Sequence, residues 1–187
     1  MTTLKLSSLA QAVAICAGAL VFAGTAGAAD KGDKATYDSA KASAKAAYNT
    51  DKAACDSLKD NAKDICVAEA KAKRTRADEN AEAAYKNTPK AREHAVHEIA
   101  EADYKVAKER CDDKAGNDKD VCVKEAKAVM TRAQADAKAS QKGTDAKMDA
   151  SKDKRDADYK VAAEKCDAMS GDAKDSCIKS AKARYGK

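Results

Sequence analysis

The chain contains, at residues 104–128, the segment YKVAKERCDDKAGNDKDVCVKEAKA, which returns at residues 159–183 as YKVAAEKCDAMSGDAKDSCIKSAKA. In each copy a Tyr stands seven residues before a Cys, and a second Cys follows eleven residues after the first. A third copy with the same spacing begins at Tyr48. A period of about 55 residues indicates that one supersecondary unit has been duplicated, and such units stack on one another or form arrays.

The three copies contain six cysteines, which predict a disulfide framework in an oxidising compartment. Pairing within each copy is favoured by the repeat: Cys55 with Cys66, Cys111 with Cys122, and Cys166 with Cys177. On an unbroken helix, eleven residues separate two side chains by roughly 16 Å, whereas a disulfide requires Cα atoms within about 7 Å. The chain must therefore turn between the two cysteines of a pair. Intermolecular bonds, metal binding and redox chemistry are the alternatives for these thiols.

Capping signals mark where the second helix of each copy begins. Each copy has a potential N-cap residue five positions before its second Cys and an acidic residue three positions after that cap. The predicted caps are Asn61, Asn117 and Asp172, and the acids are Asp64, Asp120 and Asp175. Gly116 and Gly171 precede two of these caps, as helix-terminating glycines do, whereas the first copy has Asp60 there.

Two further helix boundaries divide the copies from one another. Thr88 and Pro89 combine an N-cap with Pro at the first helical position, and Gly143 followed by Thr144 combines a terminating Gly with a new cap. The sequence thus predicts an all-α fold of about six helices in three tandem disulfide-stapled hairpins, elongated or loosely bundled. The helices are expected near 31–57, 61–86, 89–114, 117–141, 145–169 and 172–185, and the hairpins comprise repeat 1 (29–87), repeat 2 (88–143) and repeat 3 (144–187).

Residues 1–28 have the features of a secretory signal peptide. Lys5 is the only charged residue before Asp30, an apolar stretch runs from Leu9 to Phe22, and Ala26-Gly27-Ala28 offers a cleavage site. The alternative is a retained membrane anchor, because the uncharged run is just long enough to span a bilayer. We predict a periplasmic or secreted protein.

The composition limits both the core and the partners. After residue 28 there is no Trp or Phe and a single Leu, Leu58, so Ala-lined helices can bury only a shallow apolar seam. Residues 29–187 have a net charge of +4 with both signs interleaved, a pattern typical of a solvated surface. We therefore do not expect nucleic acid as a partner.

The only other candidate for chemistry is a short stretch with two histidines. His94, His97 and Glu101 could share a helix face, and imidazole with carboxylate can hold Zn²⁺ or Cu²⁺. The plainer interpretation is a surface helix that carries two His residues among its charges. We predict no catalytic residue, no cofactor, no small-molecule substrate and no metal site, with these three residues as weak metal candidates.

The cysteine segments at 104–128 and 159–183 resemble a group of exported proteobacterial Ala/Lys-rich cysteine-repeat proteins, often labelled TolA-like. The resemblance covers most of the chain after the signal peptide, whereas TolA itself is matched only by composition and only in its helical middle region. The resemblance to the cysteine-repeat group implies a cell-envelope location and a helical repeat.

Three functions are compatible with these features. The first is a non-enzymatic structural, spacer or binding module of the envelope, with an envelope protein, a cell-wall polymer or an anionic membrane surface as partner, and with self-association through Ala-faced helices. The second is a hydrophilic stress protectant resembling the late-embryogenesis-abundant proteins, which are disordered in dilute solution. The third is a metal-sequestering periplasmic protein that uses His94 and His97 or reduced thiols.

Overall fold

The computed structural model describes residues 31–187; the predicted signal peptide at 1–28 and the seventh cysteine, Cys16, lie outside the described residues. Helices α1 (Lys34–Ala54), α2 (Asp60–Lys86), α3 (Pro89–Cys111), α4 (Gly116–Cys166) and α5 (Gly171–Tyr185) account for nearly all of this region, and a single turn of 3₁₀-helix (Cys55–Ser57) follows α1. Residues 31–187 contain no β-strand, so the prediction of an all-α chain is confirmed.

The five described helices pack in the order in which they follow one another along the chain. Within residues 31–187, α1 contacts α2, α2 contacts α3, α3 contacts α4, and α4 contacts α5, with no contact between helices further apart in sequence. Because the connections are short, consecutive helices run antiparallel. The result is an open array in which the α4–α5 pair extends beyond the row formed by α1 to α4.

The buried seam is thin and consists of small side chains. Helix α3 lies between two neighbours and has the most buried residues, namely Ala91, Ala95, Ala100, Val106 and Cys111. The 51-residue α4 buries only Cys166, and α5 buries only Ala181. Ala exposes little apolar area to begin with, so each interface gains a modest hydrophobic free energy.

The predicted boundary at Gly143 and Thr144 is wrong, because α4 continues through both residues and residues 31–187 form five α-helices instead of six. The Thr144 hydroxyl donates to the Ser140 carbonyl within the helix at 2.9 Å instead of capping a new one. Gly in a helix interior costs about 1 kcal/mol relative to Ala. The surrounding Ala and Lys residues are strong helix formers and offset this cost. Repeats 2 and 3 therefore share one uninterrupted helix.

The boundary at Thr88 and Pro89 is confirmed. The Thr88 hydroxyl accepts from the backbone N–H of Ala91 at 3.1 Å, and Pro89 occupies the first turn of α3. Asn87, in the left-handed region with φ of 47°, ends α2. Pro89 has no N–H to donate and its ring blocks helical continuation, so here the chain has to turn.

Candidate functional site

Each of the three hairpins has one disulfide, which joins its two helices at the turn, as the repeat predicted. Cys55–Cys66, Cys111–Cys122 and Cys166–Cys177 each have a Cα–Cα distance of 5.7 Å. The first Cys of every pair is almost completely buried, so the staples also form the best-packed points of the seam. Three intrachain disulfides indicate an oxidising, non-cytoplasmic compartment.

The turns share one backbone geometry, which differs from the predicted capping. In each turn the N–H three residues after the first Cys donates to that Cys carbonyl, at 3.0 Å in all three copies. Two residues further on, a residue with positive φ begins the next helix: Asp60 at 49°, Gly116 at 55° and Gly171 at 57°. These helices start one residue earlier than predicted, and none of the three has a side-chain cap. The predicted caps are therefore wrong, because the residue with positive φ is already the first of the helix and the predicted cap is the second. This applies to Asn61, Asn117 and Asp172.

An ion pair spans every stapled turn, and our sequence analysis missed it. Lys63 lies 3.0 Å from Asp56, Lys119 lies 2.8 Å from Asp112, and Lys174 lies 2.9 Å from Asp167. Hydrogen bonds to the partner carboxylates raise the pKa of Lys119 and of Lys174. The signal was present in the sequence: an Asp directly follows the first Cys of each copy, and a Lys precedes the second by three residues.

Asn61 connects the first turn to the second. Its side-chain amide donates to the Glu109 carbonyl at 3.0 Å and to the Asp113 carboxylate at 2.6 Å. The staples of hairpins 1 and 2 therefore lie at the same end of the array, held together by a residue that sequence reasoning assigned to local capping.

Helices α2 and α3 form the contact between hairpins 1 and 2. The Arg76 guanidinium donates to both carboxylate oxygens of Asp103 at 2.7 Å, and Arg110 donates to Glu69 at 2.5 Å. Ala72 and Val106 are buried beside these ion pairs. Such exposed ion pairs contribute little energy individually, but they define the register of two otherwise Ala-rich helices.

The groove that runs along α2 between α1 and α3 has a mixed charge. Its lining includes three acidic and three basic side chains: Asp64, Asp78, Glu109, Lys71, Arg74 and Lys105. Tyr48 also lines it, with the Arg74 guanidinium 5.3 Å from the centre of its ring. Tyr104 lines a second, apolar groove between α3 and α4 together with Val96 and Val129. The first groove therefore has no single sign of charge with which to select an anion.

The structure brings together two of the weak metal candidates, His97 and Glu101, whereas His94 faces a different carboxylate. His94 Nε2 lies 3.9 Å from the Glu79 carboxylate on α2, whereas His97 Nδ1 lies 3.6 Å from Glu98 and 3.7 Å from Glu101. Burial raises the pKa of Glu79, and the charge of His94 opposes this shift. Across residues 31–187, no three His, Cys, Asp or Glu side chains form a cluster suited to a metal ion.

Comparisons with known proteins add no relative. The chain matches no protein-family model, no curated protein and no solved structure. Among the helices of residues 31–187, none is long and apolar enough to cross a membrane.

Proposed function

We propose that this chain is a non-enzymatic exported helical repeat protein of the cell envelope that acts as a spacer or binding module. Its partners are an envelope protein, a cell-wall polymer or an anionic membrane surface. The resemblance to Ala/Lys-rich cysteine-repeat proteins and the signal-peptide features of residues 1–28 support an envelope location.

One observation carries the proposal: each described helix packs only on its chain neighbours, so the hairpins form an extended array. Nearest-neighbour arrays present long surfaces to partners and keep a defined length. The 51 residues of α4 alone span about 76 Å, which is far longer than the diameter of a compact domain of this size. A disulfide at each hairpin turn holds the two helices of that hairpin together.

Small-angle X-ray scattering of the purified, oxidised protein at low concentration tests this architecture. A rod as long as α4 has a radius of gyration of about 22 Å, between about 15 Å for a compact domain and about 42 Å for an unfolded chain of this length. We expect the array, which is slightly wider than a rod, to give a radius at or just above that of the rod. A radius of about 15 Å would rule out a spacer, and a radius of about 42 Å with little helical circular dichroism would favour the disordered stress protectant.

Cosedimentation then identifies the partner class. The same protein is centrifuged with isolated cell-wall polymer and, separately, with vesicles containing anionic lipid, at low and high salt. Retention on one of these supports binding to that surface, and loss of retention at high salt indicates an electrostatic contact. Retention on neither leaves an envelope protein as the partner, to be sought by crosslinking in intact cells.

A further inference from the structure

Helix α4 exposes one continuous side along its whole length. Its first half presents Glu125, Ala128, Arg132 and Ala135, its second half presents Ala146, Asp153, Ala157 and Val161, and Gly143 lies between them. These positions recur with the α-helical period, so they fall on one straight stripe. Every one of them is exposed, because α3 and α5 pack on the other side of α4. We call this side the α4 stripe.

The first half of the α4 stripe repeats the face of α2 that packs against α3. Residues 56 positions earlier in the chain are Glu69, Ala72, Arg76 and Glu79. In α2 these residues contact α3: Ala72 is buried, Glu69 pairs with Arg110, Arg76 pairs with Asp103, and Glu79 approaches His94. Glu125, Ala128 and Arg132 repeat this chemistry on α4, whereas Ala135 stands in place of Glu79. Within the described chain nothing packs against these four residues.

The second half of the α4 stripe repeats the opposing face of α3. Residues 55 positions earlier are Ala91, Glu98, Ala102 and Val106. These four are buried or half-buried, whereas all four counterparts on α4 are exposed. Val106, which α2 helps to cover, is 9% exposed, whereas its counterpart Val161 is 56% exposed. No helix of the described chain covers Val161 as α2 covers Val106.

The ion pairs that set the register of α2 and α3 are repeated as well. Glu69 and Arg110 correspond to Glu125 and Lys165, and Arg76 and Asp103 correspond to Arg132 and Asp158. In the first pair Lys replaces Arg with the charge retained. One continuous helix thus carries both halves of an interface that the molecule already forms once between two separate helices.

We propose that the α4 stripe is a homodimer interface, in which α4 of a second copy packs antiparallel against it with the register of α2 on α3. Glu125 and Arg132 of one copy then pair with Lys165 and Asp158 of the second copy, and the twofold axis repeats both pairs. An interface that is the same patch on both partners is required for a closed dimer. Gly143 lies near the twofold axis, and a methyl group added at its Cα would meet no atom within 4 Å, so the two helices can approach closely there.

Charge reversal with sedimentation equilibrium of the oxidised protein tests the dimer. We expect wild-type dimers at micromolar concentration, a dissociation constant about tenfold higher for Arg132→Asp and for Asp158→Arg, and recovery to within about threefold in the double variant. The tenfold effect follows because each reversal replaces two attractive pairs by two repulsive ones. Arg155→Asp is the matched control on the opposite side of α4, and it should leave the dissociation constant unchanged.

Three results would overturn the proposal: a monomer at all concentrations, a dimer unaffected by either reversal, or single variants that the double variant fails to rescue. A monomer whose stability falls in the single variants and recovers in the double variant would instead show hairpin 3 folded onto hairpin 2 of the same chain. The dimer and the proposed function fail separately, because an extended monomer would refute the dimer and leave the spacer intact.

Discussion

The residue that begins the second helix of each hairpin has a left-handed backbone. Gly116 and Gly171 adopt this conformation without a steric penalty, whereas Asp60 brings its Cβ close to the following carbonyl. A non-Gly residue in this region costs roughly 1 kcal/mol, although Asp tolerates it better than most residues. The first turn is therefore the strained member of three otherwise equivalent turns.

Substitution at this position should have opposite effects in two copies. We expect Asp60→Gly to raise the free energy of unfolding by about 0.5–1 kcal/mol and Gly116→Ala to lower it by about 1 kcal/mol. Urea unfolding followed by circular dichroism measures both. A loss of stability in Asp60→Gly would show that the Asp60 carboxylate contributes more than its backbone strain costs.

Glu79 provides a pH-dependent test of the contact between α2 and α3. Burial raises the pKa of Glu79 above 4.5, so its charged form disfavours the fold. This unfavourable contribution is fully present above the folded-state pKa and disappears as the pH falls below 4.5. Glu79→Gln should therefore raise the melting temperature by about 1–3 °C at pH 7 and by less at pH 4. Glu93→Gln is the control, and an equal gain at both pH values would contradict the role of burial.

Two short segments that resemble each other in sequence have opposite structures. Lys86-Asn87-Thr88 ends α2 and starts α3, whereas Lys142-Gly143-Thr144 lies inside α4. Both segments stand at the same distance from the second Cys of their copy. The difference is the next residue, because Pro89 cannot continue a helix and Asp145 can. A Gly permits a turn without requiring one.

The continuity of α4 predicts the sign of a Gly to Ala change. At concentrations where the protein is a monomer, Gly143→Ala should raise the free energy of unfolding by about 0.5–1 kcal/mol, because Ala is the better helix former and its methyl group meets no other atom of the same chain. Gly32→Ala is the contrasting variant: its Cβ would lie 2.9 Å from the Ala84 carbonyl oxygen, so stability should fall. Chemical denaturation compares the two. Destabilisation of the monomer by Gly143→Ala would mean that the chain turns at residue 143.

Stability is distributed unevenly along the array, since each helix of residues 31–187 packs only on its described chain neighbours. Helix α3 is covered on two sides, whereas the described chain covers α5 on one side only, by α4. Hairpin 3 therefore depends more on its disulfide than hairpin 2 does. A disulfide that closes so short a loop contributes about 2–3 kcal/mol by restricting the unfolded chain.

Removing individual staples should reveal this gradient. In Cys166→Ser/Cys177→Ser we expect residues 171–185 to lose hydrogen-exchange protection while α1 to α3 keep theirs. In Cys111→Ser/Cys122→Ser, by contrast, the main unfolding transition should weaken by about 2–3 kcal/mol. Equal effects of the two double substitutions on all helices would contradict a nearest-neighbour array.

Much of the fold and of the stapled turns follows from local sequence. The eleven-residue cysteine spacing, Pro89 and the positions of Gly116 and Gly171 predict the hairpins and the disulfide pairing, because turns and caps depend on residues within a few positions of one another. The bond from Asn61 to Glu109 and the pairing of Arg76 with Asp103 could not be predicted in this way. Each of these contacts depends on which helices become neighbours in space. That choice depends on many small contacts between Ala residues, which form only when the helices pack.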